Sequence, residues 1–232
     1  MISIVIPTYN EAEGIADLVR YLRRTAGPAG SFEIVVADGG STDATRQRAA
    51  EAGAAVLPSL RKGRSAQMNA GAAVTKGDIL YFLHADSYPP AGFTRDIAEA
   101  VRNGYGSGCY RLSFDRRHWF LRANCWFTRF NVNAVRFGDQ SLFVRREVFE
   151  KAGGFREDLV VMEDQEIIGR IRRHTRFKVL PRSVTTSARK YIENGVYRLQ
   201  GVFFVIYFMY QLGFSQEQLV KTYRRLIRQD KV

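Results

Sequence analysis

The sequence predicts an α/β fold: a mostly parallel, Rossmann-like sheet flanked by helices, followed by a helical C-terminal segment. Three observations carry this. The short apolar runs Ser3–Ile6, Glu33–Ala37 and Ile79–Leu83 have strand length and strand composition. Stretches of helical character separate them, which is the spacing of parallel strands joined by right-handed crossovers. Each run also ends in a polar cluster, and open parallel sheets place their ligands at that end.

The elements follow in order. After Ser3–Ile6, the residues Thr8-Tyr9-Asn10-Glu11 lead into an amphipathic helix through about Leu22, with Asn10 and Glu11 as its N-terminal signal. Glu33–Ala37 ends in Asp38-Gly39-Gly40-Ser41-Thr42-Asp43 before an Ala-rich helix. Ala55–Leu57 reads as a short strand, a helix runs from about Ser65, and Ile79–Leu83 ends in His84-Ala85-Asp86-Ser87. After Pro89-Pro90 the rhythm changes. A helix near Gly92–Arg102 precedes Tyr110–Phe137, a segment dense in Arg and aromatic residues that reads as a packed amphipathic helix or as an acceptor or lipid-facing surface. Ser141–Val144 is expected as a strand, Val148–Ala152 and Glu163–Arg173 as helices, Phe177–Leu180 as a late strand, and the chain from about Val196 as mostly helix. No repeat or low-complexity linker divides the 232 residues, so one domain is expected: a nucleotide-binding half to about residue 90, an acceptor side from 91 to 195, and a tail from 196 to 232.

Composition narrows the class. A hydrophobic content of 46% and an aromatic content of 12% exclude a disordered chain. Two cysteines, Cys109 and Cys125, make neither a disulfide framework nor a zinc site, and the scattered His84, His118 and His174 have no metal-ligand spacing. A cytoplasmic location is expected, with the inner face of the membrane as a peripheral site. The first residues read as a strand and not a signal peptide. The aromatic run Gly201–Gly213 is shorter than the roughly 20 residues a spanning helix needs, and its stretch Val202–Tyr210 is apolar all round, so it is either buried or membrane-seated. A formal charge of +12 points to an anionic partner: nucleic acid, membrane or a phosphorylated substrate.

The three strand ends converge on one edge and line one crevice. Tyr9 offers an aromatic surface to a base, Asp38 can accept from a base N–H, and Gly39 and Gly40 allow close backbone approach. A turn with a helix cap explains Asp38-Gly39-Gly40-Ser41 equally well. Neither the dinucleotide fingerprint nor a Walker lysine is present. Asp86 can hold a divalent cation, and the cation a diphosphate. Glu163 and Asp164 are adjacent at a helix start and point about 100° apart, so one can face a substrate while the other caps or orients. A solvated acidic first turn is the simpler alternative.

The segments Ser3–Glu11, Glu33–Asp43 and Gly63-Arg64-Ser65-Ala66-Gln67-Met68-Asn69-Ala70-Gly71, with Gly153-Gly154-Phe155 and Glu163-Asp164 downstream, resemble the family 2 glycosyltransferases. The resemblance implies a GT-A fold, a nucleotide-sugar donor (UDP- or GDP-linked), a divalent cation (Mn²⁺ or Mg²⁺) and inversion at the anomeric carbon. It places Pro7, Tyr9, Glu11 and Asp38 at the nucleoside, with Gly39 beside them, and Arg64 at the donor phosphates. Asp86 stands where the last acid of the family's Asp-x-Asp motif coordinates metal, and His84 where its first Asp is expected. A neutral imidazole there can ligate Mn²⁺ or simply pack at the strand end. Asp164 matches the general base. Arg189, in a late basic cluster, is a candidate to close over the leaving diphosphate. The Gln-x-x-Arg-Trp motif of processive members is missing, which implies a single transfer to a hydroxyl acceptor, with lipid-linked molecules as one class. A nucleotidyltransferase and a basic nucleic-acid-binding protein are the alternatives; three acidic strand ends argue against the second.

Overall fold

The structure, a computed structural model, describes residues 1–28, 30–59, 61, 63–133 and 140–228. Its centre is an eight-stranded sheet in the order β3-β2-β1-β4-β7-β6-β8-β5. Strands β1 (Ile2–Thr8), β2 (Phe32–Asp38), β3 (Ala55–Pro58) and β4 (Ile79–Phe82) form a parallel block. Their registers align Thr8 with Asp38, and Val5 with Phe82, so the C-terminal ends of β1, β2 and β4 share one edge. Beyond β4 the sheet becomes mixed. β7 (Leu142–Arg145) runs antiparallel to β4 and to β6 (Ser107–Phe114), β8 (Phe177–Thr186) is parallel to β6, and the two-residue β5 (Ser87–Tyr88) is antiparallel to β8.

The period-2 alternation of the strands divides the core. Ile2, Ile4, Ile6, Tyr81 and Leu83 face one layer, where helices α1 (Ile15–Thr25) and α4 (Phe93–Arg102) cover the sheet. Val5, Leu80 and Phe82 face the other, against α3 (Arg64–Val74), α6 (Arg146–Lys151) and α7 (Glu163–Ile171). α1 buries Ile15, Leu18, Val19 and Leu22, the single apolar stripe of an amphipathic helix. α2 (Thr45–Glu51) contributes little beyond Ala49 to the core. A third apolar cluster joins α5 (Trp119–Phe127) to the C-terminal helices α8 (Arg189–Asn194), α9 (Val196–Gln211) and α10 (Gln216–Leu226). No helix among the described residues is long and apolar enough to cross a membrane.

Several expectations change. The segment from Tyr110 is not a continuous helix: its first residues belong to β6, which lies between β7 and β8 with most of its side chains buried. Helix is confined to α5. β8 runs on past Leu180 to Thr186 although Pro181 lacks a backbone donor, because the pairing slips there from Tyr110–Leu180 to Arg111–Ser183 and leaves Pro181 unmatched. The first helix begins at Ile15 because Asn10 takes a left-handed backbone (φ 52°) and turns its side chain to Thr42 instead of capping. Leu18 is wholly buried, so Leu18→Ala is expected to lower the unfolding free energy by about 3 kcal/mol, read from urea denaturation. A loss below about 0.5 kcal/mol would mean that α1 is not seated on the sheet as described.

Candidate active site

The edge formed by the ends of β1 and β2 is stitched together by its own side chains. The Asp38 carboxylate is only 1% exposed. It accepts from the amides of Gly40 (3.1 Å) and Ser41 (3.0 Å) and from the Ser41 hydroxyl, with Arg46 3.8 Å away. Its oxygens build the 38–41 loop, the turn that the sequence offered as the alternative reading of this segment. Asn10 reaches across to the Thr42 amide (2.9 Å), while the Ser41 and Thr45 hydroxyls accept from the amides of Asn10 and Glu11. Pro7 is buried in β1, Tyr9 is exposed at the edge, and the Glu11 carbonyl receives the amides of Gly14 and Ile15.

α3 ties these loops to the rest of the site. The Gln67 side-chain amide donates to the carbonyls of Thr8 (2.6 Å) and Ala37 (3.1 Å), closing the gap between the parallel strand ends. Gly39 leaves the room that this amide occupies, since a Cβ there would fall 2.4 Å from the Gln67 Nε2. On its other side α3 grips the 155–163 segment. Asn69 exchanges hydrogen bonds with the Phe155 carbonyl and amide (both 2.9 Å), the Ser65 hydroxyl donates to the Leu159 carbonyl (3.2 Å), and Arg64 pairs with Glu163 at 3.1 Å.

At the end of β4 a tight turn, closed by the Ser87 amide on the His84 carbonyl (3.1 Å), presents His84 and Asp86. Both are half-buried. The β5–β8 pairing sets Asp86 beside Ser87 and Thr186, whose hydroxyls lie 3.4 Å from Oδ1. Among the described residues no three His, Cys, Asp or Glu side chains come together as a metal cage. One carboxylate and one imidazole suit a cation that arrives with a diphosphate and takes its other ligands from phosphate and water.

A cavity of about 190 Å³ brings Arg64, His84, Glu163 and Asp164 to one wall. Met162, in a left-handed conformation (φ 69°), turns the chain sharply into α7 and delivers the two acids to the helix N-terminus. Glu163 goes inward and is buried, while Asp164 stays half-exposed at the cavity. Burial pushes the Glu163 carboxyl up to about 8, and the neighbouring Asp164 charge adds to the rise; Arg64 opposes it, and a hydrogen bond to Asp164 favours the protonated form. The rest of the lining comes from the C-terminal helices and α5, with Asn124, Lys190, Gln200, Phe203, Ile206 and Tyr223.

The expected Arg189 is exposed and does not line the cavity. Lys190, one residue on, does so with its ammonium against Tyr223. Gly138 and Asp139, which with Gln140 precede the strand expected at Ser141, lie outside the described residues, as do Arg136 and Phe137. Gln140 is buried and holds the Tyr110 carbonyl (3.0 Å). Lys190 belongs to the same late basic cluster that the sequence singled out, whereas sequence reasoning missed Gln67, Ser65, Asn69 and Gln200. Gln200 had a signal, a polar residue inside the apolar α9, and its Oε1 accepts from Asn124 (3.1 Å) and Tyr191 (3.0 Å).

The buried acid has a measurable consequence. The fold holds a proton on Glu163 that an unfolded chain releases near the ordinary 4.5. This contribution to stability is full below about 4.5 and is lost as pH rises through about 8. Glu163→Gln removes the titration but keeps the shape, so the urea midpoint of the variant should fall less steeply across that window. Identical slopes in the two proteins would show that Glu163 does not hold this proton.

Known proteins share both sequence and architecture with this chain. Residues 3–153 match the model of glycosyl transferase family 2. The chain is 38% identical over 113 residues to the undecaprenyl-phosphate 4-deoxy-4-formamido-L-arabinose transferase of Pseudomonas fluorescens (strain Pf0-1), covering 44% of this chain and 32% of that protein. It thus spans about a third of the length of that relative. Among solved structures, S. aureus TarS 1-349 superimposes with a TM-score of 0.67 at 16% identity over 95% of this chain and 68% of its own. The mannosyltransferase PcManGT of Pyrobaculum calidifontis, solved with GDP-Man and Mn²⁺, gives 0.68 at 20% identity over 88% and 61%. The mixed sheet with flanking helices is the GT-A fold of these transferases. With the family model spanning the chain from β1 through β7 and α6, the chain belongs to glycosyl transferase family 2.

Proposed function

We propose that this glycosyltransferase moves a sugar from a UDP- or GDP-sugar to a hydroxyl of a lipid-linked acceptor, once per encounter, with inversion and with the help of a divalent cation. The observation that carries the reading is the split between two adjacent carboxylates. Asp164 faces the cavity, and Glu163 is buried behind it against Arg64. A single substrate-facing carboxylate suits direct displacement, in which it takes the acceptor proton as the bond to the anomeric carbon forms. Glu163, protonated and hydrogen-bonded to Asp164, holds that base in place. Arg64 stands at the N-terminus of α3, where its guanidinium and the helix end both favour a diphosphate. Lys190 adds a second cation to the cavity lining. Asp86 and His84 would hold a metal ion, which would neutralise charge on the departing diphosphate.

The relatives support donor and acceptor. The undecaprenyl-phosphate transferase acts on a lipid-linked substrate by its name, and the structural neighbours were solved with UDP or with GDP-Man and Mn²⁺. The absence of Gln-x-x-Arg-Trp supports single transfer. A place at the inner membrane face fits such an acceptor.

Two experiments test the reading. Thermal shift with UDP and GDP, with and without Mn²⁺, should show selective stabilisation that needs the cation. Asp86→Ala should abolish the cation-dependent part and leave the fold intact; unchanged Mn²⁺ dependence would remove Asp86 from the metal site. Asp164→Asn should keep nucleotide affinity while transfer falls by about 10²–10⁴. Activity within a few-fold of wild type would exclude Asp164 as the base. Release of pyrophosphate instead of a nucleoside diphosphate would identify a nucleotidyl transfer.

A further inference from the structure

Exposed large apolar side chains gather on one part of the molecule. On α5, Trp119 (68% exposed) and Trp126 are seven residues apart and therefore share a helix face, with Phe127 and Phe130 beside them. On α9, Tyr197, Phe204, Phe208 (61%) and, just beyond its end, Leu212 (77%) recur at spacings of seven and four, which makes a second stripe. The two helices are joined by the Phe120–Tyr197 ring contact (4.9 Å) and the Asn124–Gln200 hydrogen bond (3.1 Å), so the stripes belong to one surface.

The charge around this surface is one-sided. Residues 116–131 and 196–211 together hold five arginines and no acidic residue. Arg116, Arg117, Arg122, Arg129 and Arg198 are all exposed, and the Arg129 guanidinium lies over the Trp126 ring at 4.5 Å. Aromatic rings ringed by arginine are suited to the headgroup layer of a bilayer, where the rings enter the acyl boundary and the guanidinium groups stay with phosphate. Both helices also line the catalytic cavity with their other faces, through Asn124 and Thr128 on the α5 side and Gln200, Phe203 and Tyr207 on α9.

We propose that the outer faces of α5 and α9 form a docking surface for an anionic lipid bilayer, which seats the acceptor cavity directly above the membrane. This deepens the lipid-linked acceptor reading and rests on it for its purpose, while binding to lipid is measurable without any acceptor. Docking draws on apolar insertion and on attraction to anionic headgroups, and the second part weakens with salt.

The chain's two tryptophans both lie on this surface, so its intrinsic fluorescence reports the event. Vesicles of phosphatidylcholine with phosphatidylglycerol should shift the emission to the blue and co-sediment the protein at low salt. Pure phosphatidylcholine or high salt should weaken both effects. Phe208→Glu/Leu212→Glu should reduce co-sedimentation at least tenfold while the thermal midpoint and the UDP or GDP shift stay at wild-type values. Three results would overturn the proposal: no blue shift with anionic vesicles at low salt, equal sedimentation of the double variant, or a wild-type dimer in ultracentrifugation that the same substitutions dissociate. Lipid binding without any nucleotide shift would sink the donor reading and leave the docking surface standing.

Discussion

Helix α3 is the constraint on which the site depends. It presents polar side chains to two directions at once, and each is committed to a backbone or charged partner. Gln67 closes the two parallel strand ends from below, while Ser65, Asn69 and Arg64 hold successive points of the 155–163 segment. Gly71 makes the close approach possible, since a Cβ there would meet Val5 at 2.4 Å. The ends of β1 and β2 and the segment leading to Asp164 are thus fixed to one helix. Their relative position is set by hydrogen bonds to main-chain atoms, which tolerate little displacement before they break.

That helix also explains how two neighbouring acids acquire different chemistry. The Arg64–Glu163 pair draws Glu163 out of water, and burial then outweighs the arginine's attraction, so the carboxyl retains its proton well above the usual range. Asp164, one position on, remains at the cavity wall. Sites that need one group to hold a proton and another to accept one commonly separate them by environment and not by residue type. Here a sharp turn at Met162 and a cation on a neighbouring helix achieve the separation between consecutive residues.

The parts of this arrangement legible in the sequence are those governed by short-range pattern. The runs ending at Ile6, Ala37 and Leu83 announce buried parallel strands, and the polar clusters after them mark the edge where the site forms. β6 was hidden because glycines precede it and arginines and aromatics crowd it, so its central place depends on partners far along the chain. The passage of β8 through Pro181 needed a slip in register that no local rule supplies. For side chains the limit is one of direction. The carboxylate of Asp38 is seen to brace its own loop, and of the two neighbouring basic residues it is Lys190 and not Arg189 that joins Arg64 at the cavity, because α8 turns Lys190 inward. Glu163 and Asp164 were recognisable as a pair, and only the packing of α7 against α3 shows which of them is buried.

The contact between Gly39 and Gln67 bears on how such a chain can change over generations. The space a side chain at position 39 would need is already filled by the amide that joins β1 to β2. An alanine at 39 would have to displace that amide, and a shorter residue at 67 would remove one donor from each of the Thr8 and Ala37 carbonyls, leaving Thr8 to the Gly39 amide at 2.8 Å. Positions 39 and 67 are therefore coupled: what a substitution at one does to the strand ends depends on the side chain at the other.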